Sequence, residues 1–350
     1  MPLYHGNTKI KDLYIGNTKI GKLYHGSTLV YSTEQETSEN ILAFLDSNDA
    51  NKIIRSTDAG ATWTTISTSP KKAYKGLFFA KESNTYIATV RSSKDLVISR
   101  DGGDTWTTSE FIDIAITEII YLPTERVYVA NTNGNQFMLW YSSDLVNWSS
   151  IELDFGVRRI QYLNNQIVII GYDMSEFKNH IYSTDSLSNA IASNFEISSL
   201  NPNVINVNAI VAYYNGKYLV KNSDVLNTAT SLSSTAVWTN TVTDSDSSLY
   251  GLWYNHIMAT SDRLIVFLNN KLQTTTTDFV TSIEYMFDSD YSVYTDSPLA
   301  IKKDTIILGG VYGRVYRMPI SQIPSSSHLI EVNTPYEQSI TNRVIVERII

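Results

Sequence analysis

Two copies of one eight-residue pattern, Ser-x-Asp-x-Gly-x-Thr-Trp, constrain this chain more than anything else in it. They are Ser56-Thr57-Asp58-Ala59-Gly60-Ala61-Thr62-Trp63 and Ser99-Arg100-Asp101-Gly102-Gly103-Asp104-Thr105-Trp106. The aspartates 58 and 101 stand 43 positions apart. A worn copy, Ser142-Ser143-Asp144-Leu145-Val146-Asn147-Trp148, puts Asp144 a further 43 positions on, without the glycine and one residue shorter. A stub, Ser183-Thr184-Asp185, follows after 41 more. An apolar run precedes each full copy (Ile53-Ile54, then Leu96-Val97-Ile98) and a β-prone Trp-Thr-Thr run follows it. A Ser/Asp/Gly cluster between two such runs predicts a hairpin turn. Asp and Ser side chains bond turn backbone groups. Gly supplies a positive φ, and Trp is a large apolar plug for a gap between sheets. Each residue therefore has a structural use, and the aspartates need no catalytic one.

The pattern resembles the Asp box (BNR repeat) of sialidase-like β-propellers. In that family the box joins the third and fourth strands of a blade, on the face away from the active site. The resemblance implies a propeller with Ser56, Asp58, Gly60, Trp63, Ser99, Asp101, Gly103, Trp106, Ser142, Asp144 and Trp148 as structural box residues. It is carried by residues 41–150; beyond them only a periodicity continues.

That periodicity is a polar turn followed by an apolar strand. Thr37-Ser38-Glu39, Glu82-Ser83-Asn84, Pro123-Thr124-Glu125, Asn164-Asn165, Asn215-Gly216, Ser261-Asp262 and Lys302-Lys303-Asp304 each precede such a strand. Seven hairpins at intervals of about 40–50 residues predict an all-β, seven-bladed propeller over residues 33–335. No stretch shows a convincing amphipathic helical period. Two segments compete to complete the ring: Thr28–Ser32, and the C-terminal strand within residues 336–350, which either closes the ring or docks on the N-terminal repeats.

Residues 1–32 follow a ten-residue repeat instead. Leu3-Tyr4-His5-Gly6-Asn7-Thr8-Lys9-Ile10 recurs as Leu13–Ile20 and, with Ser27 for Asn, as Leu23–Val30. Gly-Asn and Gly-Ser between β-prone runs are two-residue hairpin turns. The expectation is a β-meander with strands Thr8–Ile15 and Thr18–His25, too small to be stable alone. The repeats resemble those at the start of tail and fibre proteins of phages of low-GC Gram-positive bacteria.

Composition narrows the partners. The net charge of −8 argues against nucleic acid. Residues 1–32 run against it, with four lysines and one aspartate. The chain has no cysteine, so no disulfide or thiolate site. No apolar run approaches the ~20 residues of a membrane span, and the first residues lack the apolar core of a signal peptide.

Enzyme signatures are sparse. No arginine precedes Arg55, and the only string like the family's Arg-Ile-Pro is Arg317-Met318-Pro319, so a sialidase arginine triad cannot be assigned. Paired carboxylates for glycoside hydrolysis would come from Asp46, Asp95, Asp113, Asp173 or Glu176, all in expected loops. Asp244-Ser245-Asp246 and Asp288-Ser289-Asp290 lack the Gly and terminal Glu of a calcium loop. His5, His25, His180, His256 and His328 are scattered. No metal and no cofactor is expected.

The reading is a non-enzymatic virion tail or fibre protein, assembled in the host cytoplasm. Its propeller is expected to bind a host-surface glycan or a tail partner. Residues 1–32 are expected to attach it to other tail proteins as a homo-oligomer, a trimer being favoured. Ligand contacts are expected in the second-to-third-strand loops opposite the boxes, Asp46–Asn51, Arg91–Asp95, Asn131–Gln136 and Gly171–His180. The candidates are Asp46, Asn48, Arg91, Asn131, Asn133, Tyr172, Asp173 and Phe177. Two alternatives stand beside it: a glycoside hydrolase or lyase acting on cell-surface polysaccharide, and a cellular assembly factor.

Overall fold

The computed structural model describes residues 53–66, 74–90, 93–111, 116–132, 136–202, 210–222 and 225–242 continuously, and elsewhere chiefly strands. The protein is all-β, a propeller-type fold built from antiparallel four-stranded sheets. Seven sheets of four strands or more form among the described residues, six of four and one, the second, with a fifth strand added. The second comprises Tyr74–Ala80, Thr85–Val90, Asp95–Ser99 and Thr107–Glu110. The third comprises Ile116–Leu122, Val127–Thr132, Met138–Ser142 and Ser149–Glu152. The fourth comprises Gly156–Leu163, Gln166–Asp173, Lys178–Thr184 and Glu196–Ile197. The fifth begins at Ile210–Tyr214, the sixth at His256–Ala259 and the seventh at Ala300–Lys302.

Four of the seven expected turns are described and join a first strand to a second. Ser261-Asp262 and Lys303-Asp304 lie outside the described residues, between first and second strands that pair. Asn164 and Asn165 (φ 50° and 60°) and Asn215 and Gly216 (φ 49° and 77°) are two-residue turns with both φ positive, the type whose twist matches paired strands. The first sheet is built differently. Its strand Ile41–Asp46 pairs with Arg343–Val346, so its first strand comes from the far end of the chain. Thr28–Ser32 pairs with Lys22–His25 instead. Thr37-Ser38-Glu39 lies outside the described residues. Arg348–Ile349 then adds in parallel to Phe78 and Phe79 of the second sheet. Pairing the ends in this way covers strand edges that would otherwise be open.

Residues 1–32 also depart from expectation. Their described residues form three separate two-stranded hairpins. His5 faces Thr8, Ile15 faces Thr18 and His25 faces Thr28, so each Gly-Asn or Gly-Ser pair sits between paired residues. No ladder joins one hairpin to the next among the described residues. Thr8–Lys9 and Leu13–Ile15 pair in different directions, where one eight-residue strand was expected. The two-residue turn sets each hairpin locally, whereas register between hairpins needs a buried face to specify it.

The core lies between sheets. Thr85–Val90 is buried at every position, as a strand covered on both faces must be, and it reads as a nearly continuous apolar run. Each apolar cluster draws on two neighbouring sheets: Leu42, Phe44, Tyr74 and Tyr86 at the first–second boundary, and Ile87, Phe111, Ile119 and Tyr128 at the second–third. First strands of neighbouring sheets touch, and polar side chains stitch some of them. The Glu118 carboxylate, buried in the third sheet, accepts from Arg159 Nε (3.1 Å) and the Ile160 N–H (2.8 Å) of the fourth. The Gln161 amide bonds both backbone groups of Val211 in the fifth (2.8 and 3.0 Å).

Candidate functional site

The recurrent aspartates are committed to their own turns. Ser56 Oγ donates to Asp58 Oδ1 (2.8 Å) and accepts the Gly60 N–H (2.8 Å). Thr62 gives its N–H and hydroxyl to the same carboxylate (2.8 and 2.7 Å), and Trp63 Nε1 donates to the Gly60 carbonyl (3.2 Å). The second copy repeats each bond: Ser99 to Asp101 (2.8 Å), Gly103 to Ser99 (2.8 Å), the Thr105 hydroxyl to Asp101 (2.5 Å) and Trp106 to Gly103 (3.0 Å). In the third copy the Leu145 N–H replaces the glycine's, donating to Ser142 Oγ (2.9 Å). The Asn147 N–H and amide replace threonine's groups on Asp144 (2.7 and 2.8 Å).

These bonds set the carboxylates' acidity. The Thr105 hydroxyl, then the Thr105 N–H, brings Asp101 down to about 2. The Asn147 N–H and amide hold Asp144 further below the usual carboxylate range. Burial pushes Asp58 up, but the Thr62 hydroxyl and N–H outweigh it and the net shift is downward. All three are ionised acceptors with no proton to offer near neutrality.

Each turn also leans on the preceding sheet. A Cβ at Gly60 would sit 3.4 Å from Ile307 of the seventh sheet, and one at Gly103 would sit 2.8 Å from Leu42 of the first. Arg55 donates to Asp104 (2.7 Å) and to the Gly102 carbonyl (3.2 Å) of the next turn, and Arg100 donates to the Asp144 carbonyl (2.6 Å) of the one after.

One member of this series escapes a search for aspartate, and the stub completes its turn in another way. Ser231 and Trp238 keep the seven-residue spacing of Ser56 and Trp63, with Ser233 at the aspartate's position, and their hydroxyls meet at 3.1 Å. In the stub, Asp185 accepts the Asn189 amide (2.6 Å) and Ser186 caps a one-turn helix, Leu187–Ile191, which occupies the turn. Phe195, just before the fourth strand, stands where the others have Trp and meets Phe155 edge-on. The legible signal was an aromatic residue immediately before the fourth strand of each of the first five sheets.

At the opposite end, the ligand candidates scatter. Asn131 is buried within a strand and its Oδ1 accepts the Glu118 N–H (3.0 Å), so it faces no ligand. Asp95 opens a strand and pairs with Lys72 (2.8 Å). Asp46 ends a strand, but its side chain, like Asn48, Arg91, Asn133, Asp113 and the two Asp-Ser-Asp stretches, lies outside the described residues.

Gly171–His180 is mostly ladder where a long loop was expected. Tyr172 faces Asn179 and Asp173 faces Lys178, leaving 174–177 as the tip. Strand length here follows from packing. Phe155 stacks on Tyr182 at 3.7 Å, and a Cβ at Gly171 would lie 2.5 Å from Phe155, so only glycine admits that stack. Asp173 Oδ1 accepts the Ser175 N–H (2.7 Å), the Ser175 hydroxyl (2.6 Å) and the Glu176 N–H (3.2 Å), which folds the tip and lowers that carboxyl. Phe177, with φ 58°, projects outward at 72% exposure. The Arg158 guanidinium lies 5.1 Å from the Tyr172 ring. Asp173, Glu176 and His180, which the sequence places within one expected loop, come together at this tip.

A second concavity of about 300 Å³ lies between the fourth and fifth sheets, lined by Leu200, Asn201, Asn227, Trp238 and Asn240.

No protein-family model matches the chain, and no curated protein matches it. Solved structures do. AztD from Citrobacter koseri, in its apo form, is similar at 9% identity and TM-score 0.51, over 88% of this chain and 97% of that one. Sqt1 from Saccharomyces cerevisiae is similar at 10% identity and TM-score 0.49, over 83% and 82%. YCF48 from Cyanidioschyzon merolae is similar at 15% identity and TM-score 0.48, over 71% and 83%. At such identities the likeness to AztD speaks for the propeller-type fold and for nothing beyond it.

Proposed function

We propose that the chain is a non-enzymatic binding protein of a phage tail, with the seven sheets as blades of one ring and the Ser-x-Asp turns as Asp boxes. Its ligand is a host-surface glycan, taken at the end opposite the boxes. The observation that carries the reading is where the exposed aromatic rings stand. Among the described residues, both exposed phenylalanines, Phe137 and Phe177, occupy second-to-third-strand turns of the neighbouring third and fourth sheets. Exposed rings fixed to rigid hairpins suit sugar faces, and Tyr172 and Asp173 beside Phe177 supply a phenol and a carboxylate for hydroxyls. The aspartates that recur are saturated by their own turns, which supports a structural role for them.

Labelled cell walls test the reading. The wild-type protein should sediment with them and release no soluble sugar. Phe177→Ala should weaken binding roughly three- to tenfold, the worth of one aromatic contact at about 1 kcal/mol. Released oligosaccharide would favour the glycoside hydrolase or lyase alternative. No binding at all would leave the glycan reading without support.

Residues 1–32 are the attachment module in this proposal, holding a homo-oligomer, with a trimer favoured, against other tail proteins. Their lysine-rich balance opposes the acidic remainder and suits docking on an acidic partner. A protein lacking residues 1–27 should keep its melting temperature yet fall from oligomer to monomer by light scattering. A full-length protein that is already monomeric would rule this out.

A further inference from the structure

We propose a divalent transition-metal site, of the kind that takes Zn²⁺, at the tip of the fourth sheet's hairpin of strands Gln166–Asp173 and Lys178–Thr184, with Asp173, Glu176 and His180 as its ligands. The proposal concerns the hairpin also assigned to glycan, but it does not depend on that assignment.

The ladder explains why the three residues meet. Asp173 faces Lys178 and Gly171 faces His180, with Tyr172 facing Asn179 between them, so Asp173 and His180 stand on alternate pairs and share one face of the hairpin. The three bonds that Asp173 Oδ1 accepts from Ser175 and Glu176 fold the tip back and bring the Glu176 side chain over the same face. One donor atom from each of the three lies within 4.8 Å of the others.

The donors suit a metal better than they suit one another. His180 is only 12% exposed at its side chain, and its Nε2 is buried without a hydrogen bond. It lies 3.5 Å from Glu176 Oε2, inside ion-pair range but not in hydrogen-bonding geometry. Two ligands of a tetrahedral zinc with bonds of about 2.0–2.1 Å stand about 3.4 Å apart. The His180–Glu176 spacing meets that requirement with no movement, and small rotamer changes bring in the Asp173 carboxylate. One imidazole and two carboxylates are a three-ligand set that leaves a fourth position for water or an incoming oxygen.

Asp173 and Glu176 bring two carboxylates to this tip. Lys178 stands across from Asp173 in the ladder but forms no ion pair with it. A dication would relieve this accumulation of negative charge.

Isothermal titration of the chelator-treated full-length chain with Zn²⁺ tests the site, alongside melting curves with and without the ion. One equivalent should bind and raise the melting temperature. His180→Ala should weaken binding roughly tenfold or more by removing the nitrogen ligand. Glu176→Gln alters an exposed side chain, so it should melt like wild type without metal yet bind more weakly. That variant decides the matter if His180→Ala folds poorly. Absence of binding, or the same affinity in wild type and Glu176→Gln, would overturn the proposal. The latter result would place any bound zinc on other histidines.

Discussion

At Leu145 one residue does two incompatible things. It sits at φ 61°, where a glycine stands in the sister turns, yet its side chain is completely buried between the second and third sheets. The left-handed conformation costs about 1–2 kcal/mol for a residue with a Cβ. Truncating a buried leucine costs about 2–5 kcal/mol. Burial wins, so Leu145→Gly should destabilise by about 1–3 kcal/mol in urea melts even though it restores the motif. Gly103→Ala should also destabilise, because at φ +91° its Cβ would press on Leu42 at 2.8 Å. A stabilised Leu145→Gly protein would refute this ordering of terms. Asp101 shows the electrostatic side of the same turn. Its carboxyl is held near 2, below the ordinary value of 3.8. A depressed folded-state value means that the stabilisation is complete above about pH 4 and is lost as pH falls toward 2. The carboxylate is exposed, which screens it, so Asp101→Asn should cost about 1 kcal/mol at pH 7 and leave ligand affinity unchanged. The gap between variant and wild-type melting temperatures should close on titration from pH 4 to 2. A gap that persists at pH 2 would mean that the carboxylate's charge is not what stabilises the turn.

The turn as an element was legible where its hydrogen-bonding residues survive. Ser, Asp, Gly and Trp at fixed spacing announce a hairpin because each residue type answers one backbone need. The fifth sheet's turn escaped because Ser233 performs a weaker version of aspartate's task, and the fourth's showed only as a stub because a capped helix took over the space. The tip of 171–180 was misjudged for a different reason. Polar residues there read as loop, whereas the Phe155–Tyr182 stack and Gly171 extend the ladder to Asp173, and only the ladder register brings His180 beside Asp173. Such contacts are long-range and leave no period in the sequence. The indoles allow a clean comparison between turns. Trp63 and Trp148 are almost equally buried, at 6% and 7% exposure. Trp63 Nε1 donates to Gly60, while in the shortened third turn Trp148 Nε1 is buried without an acceptor. Phenylalanine at either position loses similar volume, but only Trp63→Phe loses a bond. Trp63→Phe should therefore cost about 1–2 kcal/mol more than Trp148→Phe. Equal losses would show that the Nε1 bond adds nothing to the indole's packing.

For the whole molecule, closure is the feature that periodicity alone left open between two segments, and chain ends supply it. Arg343–Val346 completes the first sheet against Ile41–Asp46 and touches strands of the seventh, and Arg348–Ile349 reaches past it to the second. One short segment thus ties three sheets, and each further turn passes the load along, as Arg55 and Arg100 reach from one turn to the next. Removing residues 343–350 would expose the Ile41–Asp46 edge and delete the four paired positions Arg343↔Asp46, Val344↔Leu45, Ile345↔Phe44 and Val346↔Ala43. At about 1 kcal/mol per exchanged hydrogen bond the loss is on the order of 4 kcal/mol, a fall in melting temperature of about 5 °C for a chain of 350 residues. The open edge should also promote association at high protein concentration. A synthetic peptide spanning residues 340–350, added in excess, should restore much of the melting temperature by mass action, and the same residues in scrambled order should not. If the truncated protein melts with the parent and stays dispersed, the C-terminal strand is an ornament on a ring that closes by other means.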